Sequence, residues 1–329
     1  MASPKHSLRA LILAALLLLI VLSLGTGQAG FQPGELLDAL RAGDITSPAW
    51  RVFMHVRVPR TLAAVMTGGA LAVSGLILQQ VLLNPMASPG LLGINAGAGL
   101  FALLAAVFFP IGLWTLPVFA FVGALLSALI TYVIAGALGA GRRTIILAGI
   151  AISSLLGAIS DAIVSVVPDA ALYRNVFSIG GLANVTLRQL AAAAPVMLLG
   201  FVLAMILGKG MRLLTLGDDV AHSLGVPVMR TRLLLLAASA LLAAAVVSFA
   251  GLIGFVGLVV PHLAVLLLGE NGRRPVPCAL LGAALCLVCD MIARTCFAPY
   301  ELPVSIILAV LGAPYLLVLL LRRREHAVL

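Results

Sequence analysis

Arg57-Val58-Pro59-Arg60 opens an apolar run that closes on Gln79-Gln80-Val81-Leu82-Leu83-Asn84-Pro85-Met86-Ala87-Ser88-Pro89-Gly90-Leu91-Leu92-Gly93. As a helix rising ~1.5 Å per residue, the segment between the arginines and Asn84 is long enough to cross a ~30 Å hydrocarbon core. A second apolar run, rich in glycine, follows the turn. A simple anchor needs neither arginines at one end nor an uncharged, Pro- and Gly-broken turn at the other, so the rest of the chain has to explain this design.

Working outward, the pattern repeats. Apolar runs lie near 8–24, 60–83, 91–109, 115–138, 144–167, 190–208, 231–249, 252–268, 276–297 and 303–321. Breakers separate them, among them Pro110, Gly139, Pro168, Gly208, Gly251, Gly269 and Pro299. The break at Gly251 is the weakest. The chain of 329 residues is 63% hydrophobic and only 9% charged, more apolar surface than one soluble core can hide. Ala, Leu, Gly and Val dominate, and small residues let helices pack closely in lipid. The alternating ~10-residue segments of a membrane β-barrel are missing. The expected fold is therefore all-α: a polytopic membrane helical bundle of ten transmembrane helices, forming one domain over residues 1–329. The first run has no Ala-x-Ala site after it and reads as a retained helix. Residues 28–56, mixed and polar, read as an external loop.

Charge sets the orientation. With both termini cytoplasmic, thirteen Lys and Arg fall inside, from Lys5 and Arg9 to Arg322, Arg323 and Arg324, and seven fall outside. The net charge of +9 does not point to nucleic acid, because the basic residues sit in short clusters between apolar runs. The outer Arg57, Arg60 and Arg294 oppose the trend. Arg57 and Arg60, three apart on a helix start, share a face. They are either a cationic mouth for an acidic partner or anionic substrate, or side chains snorkelling to headgroups.

Other polar positions have milder readings. Asp290 and Arg294, four apart, suit an internal ion pair. Asp161 near the outer end of its run is a carboxylate for a proton or cation, or simply a solvated group. His262 after Pro261 suits packing or capping, since one histidine is not a zinc site. Cys278, Cys286, Cys289 and Cys296 fall within roughly an 80° arc of one helix and suit packing better than a metal or redox centre. The inner loop at about 209–230 carries a short helix signal, with Asp218 or Asp219 capping Val220–Leu224 and Gly225 ending it. It is a docking element for another protein or a lipid-surface linker. No P-loop, His-Glu-x-x-His or Ser/His/Asp grouping occurs, so no catalytic residue and no enzyme is expected.

Together these motifs resemble the permease subunits of ABC importers for ferric siderophores, heme and vitamin B12, the FecCD-type permeases. The resemblance rests on Arg57-x-Pro59-Arg60, then Gly75, Gln79 and Asn84-Pro85-Met86-Ala87-x-Pro89. Leu216-Gly217, Ala221 and Leu224-Gly225-Val226 follow, with Gly254 to His262, Asp290, Arg294, Glu301-Leu302-Pro303 and Gly312-Ala313-Pro314. It implies a homodimer in the bacterial inner (cytoplasmic) membrane, in contact with membrane lipid. A separate cytoplasmic ATPase dimer would use ATP and Mg, and a periplasmic substrate-binding protein would deliver the cargo. No cofactor or metal belongs to this chain.

The resemblance also assigns residue roles. Arg57, Arg60 and Arg294 would receive glutamates of the binding protein. Asn84, Pro85 and Met86 would form the inner gate of a central path. Leu216, Gly217, Asp218, Ala221, Leu224 and Gly225 would couple to the ATPase. The cargo ranks as ferric siderophore, then heme, then corrinoid. The sequence departs from the family at Val265, at Met86 and at Arg142-Arg143, which fall where small polar residues are usual near the gate. An ion-coupled secondary transporter using Asp161 or Asp290 is the reading from a different class.

Overall fold

The computed structural model describes residues 4–27, 41, 44, 46–110, 112–139 and 141–327. Of the expected external loop at 28–56, residues 28–40, 42, 43 and 45 lie outside them. Among the described residues all regular structure is helical: α1 (Pro4–Gly25), α2 (Pro48–Leu82), α3 (Ile94–Phe108), α4 (Thr115–Ala137), α5 (Arg142–Val166), α6 (Ala170–Ile179), α7 (Leu187–Ile206), α8 (Gly208–Leu214), α9 (Asp218–Ser223), α10 (Val228–Ala250), α11 (Val256–Leu268), α12 (Pro275–Thr295) and α13 (Val304–Ala327).

Each of the ten apolar runs becomes a helix, and among the described residues six are long and apolar enough to cross a membrane: α2, α4, α5, α7, α10 and α12. The run at 252–268 forms a shorter helix than the run itself. Its helix α11 has 13 residues, about 20 Å at 1.5 Å per residue, after an irregular stretch from Gly251 to Gly254. The break at Gly251 is therefore real. Gly251 has φ +68°, and a Cβ there would lie 2.7 Å from the Phe177 carbonyl oxygen, so the chain turns where α6 presses against the end of α10. Helix α6 itself fills part of a gap that the hydropathy pattern leaves empty.

Helix α2 starts twelve residues earlier than its apolar run. Ser47 accepts a hydrogen bond from the Trp50 N–H at 3.3 Å, and Pro48 stands where a missing N–H costs nothing. A π-helical turn over Phe53–Arg57 carries the helix on. Residues 48–56 are thus helix, not loop. Leu83 ends the helix in a left-handed conformation (φ 46°) and returns its N–H to the Gln79 carbonyl.

Helix α2 is also the axis of packing, 78% buried along its most apolar window against 22% for α5. It packs on α12, α10, α11 and α7. Glycine permits the closest approaches: a Cβ on Gly68 would lie 2.1 Å from the Gly282 oxygen, and one on Gly75 would lie 1.9 Å from the Gly257 oxygen. Buried polar groups cross the same seams. Ser74 Oγ donates to the Ser239 carbonyl at 2.9 Å, and Gln79 Nε2 donates to the Gly257 carbonyl at 3.0 Å. Cys278 and Cys286 pack on this face of α2.

Candidate functional site: an outer ion cluster and an inner loop segment

Because α2 begins at Pro48, Arg57 and Arg60 sit well inside a helix rather than at its start. Both are buried, as is Arg294 on α12. The open cationic mouth expected from the sequence is instead an internal network. Arg60 Nε donates to Asp290 at 2.9 and 3.2 Å, and its Nη1 donates to Glu301 Oε2 at 2.6 Å. Asp290 is fully buried. Its Oδ2 lies 3.3 Å from Arg294 Nε, an ion-pair distance without hydrogen-bond alignment. The i,i+4 pair expected between Asp290 and Arg294 is present, but the better-aligned partner of Asp290 is Arg60 on α2.

The remaining donors of this cluster cap α1. Arg57 Nη1 donates to the carbonyls of Leu24 at 2.8 Å and Thr26 at 3.3 Å. Arg294 donates to the Ser23 carbonyl at 3.0 Å, Ser23 Oγ at 2.7 Å and the Thr26 carbonyl at 3.2 Å. The last carbonyls of a helix have no partner within it and carry the negative end of its dipole. Helix α1 has no basic residue in its last turn, so α2 and α12 supply the charge. The sequence reading missed Ser23, Thr26 and the bridging role of Glu301. Only Glu301, an acid just beyond a span, left a trace in the sequence.

Arg60 and Glu301 also border an outer cavity of ≈ 550 Å³. Phe177, Gly180, Gln189, Phe249 and Pro303 complete its wall.

At the opposite end, the Asn84-Pro85-Met86 turn links α2 to the short helical turn Pro89–Leu92. Asn84 Oδ1 accepts from the Met86 N–H at 2.9 Å, and all three residues are half-buried. Pro85 borders an inner cavity of ≈ 590 Å³ together with Gln79, His262, Val265 and Tyr315. His262 Nδ1 lies 2.9 Å from the Leu258 carbonyl, a local contact within α11.

The inner segment forms two short helices, α8 and α9. Helix α9 begins at Asp218 itself with Gly217 (φ +108°) before it, so neither aspartate caps Val220–Leu224 through its side chain. Asp218 turns outward from the helix start and joins two other helices. Arg142 of α5 reaches its Oδ1 at 2.6 Å, and Arg232 of α10 reaches both its oxygens at 2.7 Å. Arg142 therefore braces the start of α9 through Asp218, and Arg232 was not foreseen. Ala221 of α9 is buried while Leu216, Val220 and Leu224 are exposed. Gly225, φ +81°, turns the chain back to α10.

Asp161 is not a lone intramembrane carboxylate. It is exposed and paired with Arg174 of α6 at 2.5 Å. Among the described residues, no group of three or more His, Cys, Asp or Glu is placed to hold a metal ion.

The FecCD transport family model matches residues 15–322. The hemin transport system permease protein HmuU of Yersinia pestis is 38% identical over 318 residues, covering 94% of this chain and 95% of that protein. The ferric enterobactin transport system permease protein FepG of Escherichia coli is 34% identical over 313 residues, covering 95% and 94%. A solved metal-chelate type ABC transporter in an inward-facing conformation superposes with a TM-score of 0.83 at 28% identity, covering 96% of this chain and 99% of that one.

Proposed function

The chain belongs to the FecCD transport family, and from that premise we propose that it carries a ferric siderophore inward across the bacterial inner membrane as one half of a homodimer. At the coarser level it is the multi-pass permease of an ABC importer for iron chelates, heme or siderophores, and not an enzyme. ATP hydrolysis belongs to a separate subunit, and a substrate-binding protein supplies the cargo.

The observation that carries this reading is α9: a short helix with Leu216, Val220 and Leu224 exposed and Asp218 tied to two transmembrane helices. A lipid-surface linker needs no such bracing. A part that receives a push from an ATPase does, because only contacts that differ between two conformations can shift their equilibrium. Leu216, Gly217, Asp218, Ala221, Leu224 and Gly225 are proposed as that coupling element, and Asn84-Pro85-Met86 as the inner gate. Docking of the binding protein is proposed at the outer face. There Arg57, Arg60 and Arg294 act through the shape they impose on the end of α1 and on the Glu301 rim, since their own charges are directed inward.

Heme is the second reading, favoured by the 38% identity to a hemin permease. The test is uptake into proteoliposomes containing permease, ATPase and binding protein, offered a radiolabelled ferric siderophore or heme. ATP-dependent accumulation of the siderophore is expected. Accumulation of heme alone would replace the cargo assignment. Uptake driven by a proton gradient without the ATPase would overturn the importer reading and restore a carboxylate-coupled transporter.

A further inference from the structure

A groove of ≈ 600 Å³ at the inner end of the bundle is used by nothing above. It lies between α1, the α7–α8 junction and the start of α12. Lys209 and Arg212 of α8 meet Arg273 and Arg274 of the α12 approach across it. No acidic residue lines it. Among the described residues Lys209, Arg212 and Arg274 meet no carboxylate within ion-pair distance, and Arg273 has only an exposed contact to Glu270 at 3.5 Å.

The other wall is apolar: Ile12 and Leu13 of α1, Met205 of α7 and Leu280 of α12. Leu13 and Met205 are exposed, and the surface continues onto the outward leucines Leu11, Leu17 and Leu18 of α1. Helix α1 packs on α12 and α2, and its uncovered leucines carry the open side of the groove into the lipid-facing surface of the bundle. Four cations concentrated at the cytoplasmic end of a lipid-facing cleft repel one another unless an anion joins them. A soluble anion would satisfy the cations but leave the apolar wall bare. A lipid satisfies both, with its phosphate at the level where inner-leaflet headgroups lie and its chains along α1.

We propose that this groove binds an anionic phospholipid of the inner leaflet, its headgroup phosphate held by Lys209, Arg212, Arg273 and Arg274 and its acyl chains lying on Ile12, Leu13, Met205 and Leu280. The site rests only on the chain spanning a membrane and is independent of the cargo. It places the lipid at the root of α8, the helix that leads directly into α9. Lipid occupancy would then hold the coupling segment at the membrane surface.

The test is native mass spectrometry of the full-length protein released from nanodiscs of phosphatidylcholine with an increasing share of phosphatidylglycerol. The expected result is retention of phosphatidylglycerol over phosphatidylcholine. Each of Lys209→Gln, Arg212→Gln and Arg274→Gln should weaken that retention about fivefold, and the triple variant should lose it. Arg143→Gln, an exposed inner-face cation away from the groove, should leave retention unchanged. A matched helical circular-dichroism spectrum and elution volume confirm that each variant is folded. Equal retention of both lipids, an equal loss in Arg143→Gln, or displacement of the lipid by inorganic phosphate alone would overturn the proposal. So would variants that keep the lipid but lose the ATPase, which would make the patch a protein contact.

Discussion

The two ends of this bundle use similar chemistry, arginine against aspartate, in opposite ways. At the outer end Asp290 is fully buried between Arg60 and Arg294, and the spare donors cap α1. At the inner end Asp218 holds Arg142 and Arg232 at comparable distances, but its own side chain is 44% exposed. The distances scarcely differ; access to water does. A buried ion pair has given up its hydration, so losing one partner strands the other at high cost. A half-exposed pair can exchange its partner for water at little cost, and its net contribution is small. The outer cluster is suited to be a fixed strut, and the inner cluster to be broken and remade as α9 moves.

The strongest test of this contrast is Asp290→Ala. It leaves Arg60 and Arg294 buried without a carboxylate and should cost about 3–5 kcal/mol, read as a large drop in melting temperature and in folded yield in detergent. An unchanged melting temperature would show that water reaches the cluster. Arg60→Met combined with Asp290→Leu strands only Arg294 instead of two arginines, and by the same reasoning should be more stable than Asp290→Ala alone. If the double variant is worse, the pair contributes net stability and the strut account needs revising.

Asp218→Asn should move stability by no more than about 1 kcal/mol while reducing stimulation of the ATPase by loaded binding protein. Stimulation at the wild-type level would leave Asp218 a surface ornament. Leu224→Asp should be nearly neutral for folding, because Leu224 is exposed, yet weaken co-purification of the ATPase. The smallest effect is expected at Glu301→Gln. Its side chain is one-third exposed, so the loss of its pair to Arg60 should cost less than about 1 kcal/mol. Binding-protein affinity measured on that variant probes the rim separately from the strut. Arg57→Gln does the same from within, since the recorded acceptors of its guanidinium are backbone carbonyls.

Much of the architecture was legible as hydropathy. A segment that must satisfy its backbone within lipid has to be a helix, so apolar length and breaker positions are enough. The short helix α9 was also legible, because Gly217 and Gly225 are local turn signals at its two ends, although the aspartates do not cap it as expected. The length of α2 was not legible, since residues 48–56 are polar and their helicity comes from a cap, a proline and continuity with the helix beyond. The run at 252–268 becomes a shorter helix because hydropathy does not register the irregular stretch from Gly251 to Gly254, where α6 presses against Gly251. The three outer arginines were singled out correctly as unusual, but their direction was not readable. An arginine near the end of a span has the same sequence whether it faces a partner or an inward carboxylate 230 residues away.

The sequence by itself determined that the chain is a helical membrane permease of this family, with its basic residues in short clusters between apolar runs and a short helical signal within 209–230. Composition and local turn chemistry act over a few residues and need no partner to be read. Only the tertiary structure decided that α2 is the axis, that Arg57, Arg60 and Arg294 are committed inward, and that Asp218 joins α5 to α10. Those facts depend on which helices meet, and for groups so far apart along the chain that is settled by close packing at Gly68, Gly75, Gly257 and Gly282 rather than by anything adjacent in sequence.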